Sequence, residues 1–153
     1  AGLRMGRDVT PQWDPGPWVV RLPDGRSVRA RGLRHGTPPG PAPELGVYLT
    51  GSAPPPTSWP QVWIPWPDFR LPTDRQEAVA SLRVAFDAAE RERVEVACGG
   101  GVGRTGTALA VLARLAGVPA DEVVAWVRRH HHPRAIETPW QRRWARSVVL
   151  PGP

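Results

Sequence analysis

One cysteine, a glycine run and an arginine stand close together in Cys98-Gly99-Gly100-Gly101-Val102-Gly103-Arg104, with Thr105 next. Four glycines in five residues let a backbone curl until successive N–H groups face inward. Such a nest binds a tetrahedral anion. The apolar run Val94-Glu95-Val96-Ala97 before the loop reads as a buried strand. The stretch from about Thr105 to Ala116 reads as a buried helix, because Ala108, Leu109, Val111, Leu112 and Leu115 make it apolar nearly all round. That helix would add its free N–H groups and positive end at the same point. Cys98 at one end of the loop and Arg104 at the other can then face a single phosphoryl group. The same field favours a cysteine thiolate, which is the nucleophilic form. Arg104 can bridge two phosphoryl oxygens through its planar fork, and Thr105 can donate a hydrogen bond to the sulfur. The backbone of Gly99, Gly100, Gly101, Val102, Gly103 and Arg104 is the expected phosphate cradle.

Two blander readings compete. A nucleotide-binding phosphate loop needs glycine, four residues, then Gly-Lys-Ser/Thr. Here Cys98 takes the first glycine position and Arg104 the lysine position, so that pattern fails twice. Alternatively, the glycines only allow close strand–helix packing and Cys98 is inert core. The arginine at this spacing argues against that.

Cys98-x5-Arg104-Thr105 resembles the signature of the cysteine-dependent protein phosphatases, the tyrosine and dual-specificity superfamily, here as a bacterial member. Two other segments share the likeness. Trp66-Pro67-Asp68-Phe69 looks like that family's mobile acid loop. The resemblance implies that Asp68 protonates the leaving oxygen and then acts as base on the attacking water. Asp68 precedes Cys98 by 30 residues, an interval similar to that of compact dual-specificity members. Asp74 is the nearest rival, but a place in the first turn of a helix explains it. Glu137-Thr138-Pro139-Trp140-Gln141 resembles the family's glutamine loop, in which Gln141 would orient the hydrolytic water. Gln141 is equally the N3 member of a capping box begun by Thr138. One departure is Ala97, where the family has a histidine that supports the loop; a less strongly activated Cys98 is expected. The likeness runs from about residue 45 to 150. It implies an α/β fold: a compact, three-layer dual-specificity-phosphatase-like domain with a small mixed sheet, parallel at its centre and flanked by helices. It also implies that no metal or organic cofactor is needed.

The elements that must position these residues follow from pattern. Residues 1–16 read as an arm or loop. Within 17–44, Trp18 to Leu22 and Ser27 to Ala30 flank Pro23-Asp24-Gly25 as a hairpin, and 35–43 is a proline-rich loop. Residues 45–150 form the expected catalytic core, within one domain spanning 1–153. Leu45 to Leu49 and Gln61 to Ile64 are strand candidates. Thr73-Asp74-Arg75-Gln76 reads as a capping box opening a helix to about Arg91, with Val79, Leu82, Phe86 and Ala89 on one face. Gly117 ends the buried helix, Pro119 opens the next at its first position, and Thr138 starts a last one to about Val149. Arg128, Arg129, His130, His131, His132 and Arg134 read as a solvated basic helix end. Three adjacent histidines on a helix cannot face one metal.

The chain has 153 residues and a net charge of +6, with arginine as its only basic residue besides histidine. One cysteine excludes an internal disulfide. The charge favours anionic partners: a phosphorylated protein or another phosphate monoester, with nucleic acid admitted but not favoured. No stretch reads as a membrane span or secretory signal, and Met5 to Thr10 matches an acylation pattern only by chance. The cytoplasm is the expected location. Two alternatives stay open. One is a pseudophosphatase that binds phosphorylated ligands without turnover; the other is the same chemistry on an RNA 5′ phosphate or a phosphoinositide.

Overall fold

The buried run Val94–Cys98 becomes strand β5 at the centre of a sheet, and this placement organises the rest of the chain. The computed structural model describes residues 8–152. Residues 1–7 of the expected arm, and with them Met5 to Arg7 of the acylation pattern, lie outside the described residues. The other strands are β1 (Val19–Arg21), β2 (Ser27–Gly32), β3 (Leu45–Thr50) and β4 (Gln61–Pro65). Their order across the sheet is β1-β2-β5-β3-β4. β2, β5, β3 and β4 run parallel, and β1 pairs antiparallel with β2 through the expected hairpin. A short 3-10 turn, Leu33–His35, follows β2.

Four helices follow: α1 (Arg75–Ala88), α2 (Gly103–Leu115), α3 (Val123–His130) and α4 (Pro139–Ser147). α2 packs on β5 and β2 and touches α1, α3 and α4, so all four lie over one face of the sheet. Every residue of α2 from Gly103 to Ala113 is buried. Strand residues of period two meet them: Val28, Ala30, Val47, Leu49, Ile64, Val94, Val96 and Cys98 belong to the same core. Each fully buried Val or Leu contributes about 1.5–3 kcal/mol, and this packing fixes the strand β5 to helix α2 connection that carries the glycine loop.

The opposite face is covered by loop and arm rather than by helices. Glu95, fully buried, accepts from Arg29 Nε (2.9 Å), Arg31 Nε (2.6 Å) and the Tyr48 hydroxyl (2.8 Å). Trp59 Nε1–H donates to the Tyr48 oxygen at 2.8 Å. Trp13 covers the Arg29 guanidinium and donates from Nε1 to the Val94 carbonyl at 2.9 Å. Burial opposes the Glu95 charge, but hydrogen bonds from Arg31, Arg29 and Tyr48 outweigh it and hold the carboxyl below the usual glutamate range. Burial and the adjacent carboxylate push the Tyr48 hydroxyl well above its usual value. Residues before 45, with no named counterpart in sequence, thus supply β1, β2 and much of this third layer.

Several boundaries differ from expectation. Asp74, not Thr73, caps α1: its carboxylate accepts from the Glu77 N–H at 3.0 Å, while the Thr73 N–H is held by the Pro65 carbonyl at 3.0 Å. α1 ends at Ala88, and Ala89 to Arg91 turn away toward β5. α2 begins two residues early, at Gly103, which puts Arg104 inside its first turn. Pro119 stands before a 3-10 turn, Ala120–Glu122, instead of at the first position of α3. The Thr138 capping box forms as expected, with both reciprocal bonds at 3.1 Å. Among the described residues, no helix is long and apolar enough to cross a membrane.

Candidate active site

The loop between β5 and α2 is braced from three sides. Gly101 takes a left-handed conformation, φ 76°, and a side chain there would collide with the Gly32 backbone at the end of β2. Only glycine meets both demands. On the far side, a side chain at Gly103 would strike the Glu137 carboxylate. The Gly99 carbonyl accepts from the Arg34 N–H at 3.0 Å, and the Gly101 carbonyl lies 2.7 Å from His131 Nε2. Two loop carbonyls are therefore tied to neighbouring elements. The N-cap of α2, Val102, makes no side-chain cap, which leaves the first amides of the helix without that partner.

Cys98 sits at the end of β5 with 2% exposure. Its sulfur accepts two hydrogen bonds, from the Gly101 N–H at 3.2 Å and from the Thr105 hydroxyl at 3.0 Å. Ala97 points to the other sheet face because strand side chains alternate. It is fully buried there, paired in register with Arg31 and Tyr48.

Arg104 is 7% exposed. Nη1–H donates to the Trp66 carbonyl at 3.0 Å, and Nη2 lies 3.5 Å from Asp68 Oδ1. Its Nε is buried and has no hydrogen-bond partner among the described residues. An unsatisfied buried donor costs about 1–3 kcal/mol, so this nitrogen is free to take an acceptor. Asp68 is about half exposed and takes the Phe69 N–H at 3.0 Å. Phe69 follows at φ 61°, an unfavourable conformation for a bulky residue.

α4 holds the segment that carries Asp68. Trp140 Nε1–H donates to the Phe69 carbonyl at 2.7 Å, and Gln141 Nε2–H to the Arg70 carbonyl at 3.0 Å. Trp66, fully buried, also donates to the Arg70 carbonyl, at 2.7 Å. Gln141 is itself fully buried and spends its amide oxygen on the Thr138 N–H. Beside this segment opens a cavity of about 750 Å³ lined by Asp68, Phe69, Arg70 and Trp140 among others.

Cys98, Arg104, Thr105 and the Gly99 to Gly103 backbone thus come together, and Asp68 reaches the same guanidinium. Gln141 lies one step back, behind the Asp68 segment. Three residues escaped the sequence reading. Arg34 lays its guanidinium over Gly99, with Nη2 3.1 Å and Arg104 Nη2 3.4 Å from where a Cβ on that glycine would stand. The Arg34 side chain makes no hydrogen bond or ion pair among the described residues. His131 turns inward from the end of α3, and the half-exposed Trp140 reaches the Phe69 carbonyl from α4. Burial pushes the His131 imidazole below the usual histidine range; His132 acts the same way and the bond to Gly101 opposes. In the sequence the histidine run gave no sign of which ring turns in. Among the described residues no group of His, Cys, Asp and Glu is arranged to hold a metal.

The mostly parallel sheet, the buried α2 and the cysteine loop between β5 and α2 define an α/β fold of the protein-phosphatase type. Residues 47–148 match the family described as the Swiss Army Knife protein, dual-specificity and tyrosine phosphatase (DSP-PTPase) domain, PTP-SAK, and the chain belongs to that family. Two uncharacterized proteins of Methanocaldococcus jannaschii, MJ0215 and MJECL20, are each 32% identical to it, over 85 and 94 residues. Those matches take in 56% and 61% of this chain and 52% and 63% of the relatives, so the chain spans only part of their length. The crystal structure of Tk-PTP in the active form superposes with a TM-score of 0.55 at 30% identity, covering 64% of this chain and 72% of that one.

Proposed function

We propose that the chain is a phosphatase that hydrolyses phosphate monoesters of proteins through a cysteinyl-phosphate intermediate. The observation that carries this reading is the buried Arg104 Nε, without a partner among the described residues, at one end of a loop whose other end holds a cysteine sulfur with two donors.

The substrate phosphoryl group enters the loop amides, and Arg104 turns its fork to two of its oxygens. This exchanges the 3.5 Å contact to Asp68 for a stronger one and releases the carboxyl toward the leaving group. The Cys98 sulfur attacks phosphorus, the bond to the ester oxygen breaks, and Asp68 gives that oxygen its proton. In the second step a water attacks phosphorus, Asp68 takes its proton, and the sulfur leaves as thiolate, steadied by Thr105. Gln141 serves this step only if its amide exchanges the Arg70 carbonyl for the water. Arg34 adds positive charge at the rim, which favours protein substrates with acidic groups near the ester.

Hydrolysis of p-nitrophenyl phosphate by wild type, Cys98→Ser and Asp68→Ala tests the reading. Cys98→Ser should abolish turnover. Asp68→Ala should lower kcat by roughly 10²–10⁴-fold, the range for loss of a general acid. Wild-type protein that releases no p-nitrophenol would overturn it and leave a phosphate-binding module.

A further inference from the structure

We infer that His131 is a positioning residue for the phosphate cradle: it clamps the Gly101–Val102 peptide so that the Val102 N–H faces the bound anion. The inference rests on the phosphatase reading above and deepens it.

His131 caps the end of α3, its backbone N–H bonded to the Val127 carbonyl at 2.8 Å, so its ring springs from a fixed point. Nε2 lies 2.7 Å from the Gly101 oxygen. A carbonyl can only accept, so Nε2 carries the proton. The peptide from Gly101 to Val102 is planar and trans, and its C=O and N–H point in opposite directions. Holding that oxygen against α3 turns the Val102 N–H the other way. This N–H makes no hydrogen bond among the described residues.

Such a peptide needs a clamp. Gly101 is in the left-handed region, and glycine crosses between backbone regions at little cost. Unclamped, the peptide would flip and offer a carbonyl dipole, not an N–H, to a phosphate. The preceding peptide is tied differently: the Gly101 N–H goes to the Cys98 sulfur. His131 therefore controls a peptide that the sulfur does not. Arg34 holds the Gly99 oxygen in the same manner, but through its main chain. The sequence has alanine before its cysteine, and the clamp comes from another element, 33 residues further on.

The test compares wild type, H131F, H131A and H131Q in the full chain. Phenylalanine keeps a ring without a donor; glutamine keeps a donor without a ring. Inorganic phosphate binding is read by calorimetry, kcat and KM with p-nitrophenyl phosphate, and folding by thermal midpoint. H131F should weaken phosphate binding and lower kcat by about ten-fold, the effect of one hydrogen bond to a charged group. H131Q should recover most of both, even where its thermal midpoint falls as far as that of H131F. H131A supplies the donor-free comparison if the larger ring prevents folding. Donor-free variants with wild-type phosphate affinity and kcat would overturn the inference, and so would an H131Q no better than H131F. A wild type that neither binds phosphate nor turns over would instead remove the phosphatase reading itself, and this inference with it.

Discussion

Two donors converge on the Cys98 sulfur, and one of them can be deleted without touching the backbone. Thr105 is fully buried, and among the described residues its hydroxyl serves the sulfur alone. A hydrogen bond to a charged group contributes about 1.5–3 kcal/mol. Thr105→Ala removes it where the thiolate is most exposed to the effect, as the leaving group of the second step. Turnover should fall by about 10- to 100-fold, and a rapid burst of p-nitrophenol should appear as the phosphoryl enzyme accumulates. Stopped-flow measurement reads both. An unchanged kcat without a burst would mean the hydroxyl is only filling space. Arg104 shows the same economy of contacts: each of its three nitrogens faces a different surrounding, and among the described residues only Nε is without a partner.

The helices place these groups through their ends. α2 brings an uncapped N-terminus to the cradle, and α4 uses a complete capping box to aim Trp140 and Gln141 at the Asp68 segment. Thr138→Ala should cost about 1 kcal/mol of stability, within the 0.5–2 range for a lost N-cap, read as a lower urea midpoint at unchanged slope. It should also loosen the Asp68 segment and lower kcat more than it raises KM. The strand β5, the glycine loop and α2 were legible in the sequence because period, glycine and apolar content all agree there. So was the α4 capping box, whose side chains bond their own backbone three residues away. The cap of α1 was not, since Thr73 and Asp74 both suit the position and a long-range bond from Thr73 to Pro65 decides between them. His131 was hidden for a similar reason. Its partner, Gly101, is 30 residues away in sequence, and the approach depends on how α3 packs against α2.

Across the whole molecule, the helical face carries the proposed active site and the opposite face carries a buried ionic network that locks β2, β5 and β3 together. Removing one partner from such a network leaves charge uncompensated, at about 3–5 kcal/mol; Glu95→Gln should lose about that much at pH 7 in denaturant melts. Glu95 is more acidic folded than unfolded. Its contribution is therefore complete above the ordinary glutamate value of 4.5 and is lost as pH falls through the lower folded value. Wild-type stability should drop across that acid range, and the Glu95→Gln variant should show a shallower drop. A parallel pH profile in the two proteins would remove Glu95 from this role. The sheet so held keeps Cys98 and Arg104 on opposite ends of one loop, and the proposed hydrolysis depends on what that arrangement does during turnover. Acid quench of the wild type within milliseconds of mixing with p-nitrophenyl phosphate, followed by mass spectrometry of the Cys98 peptide, reads it directly. One phosphoryl group should appear on the Cys98 sulfur and accumulate further in Thr105→Ala. Full turnover with Cys98 unmodified at every time point, or undiminished in Cys98→Ser, would contradict it.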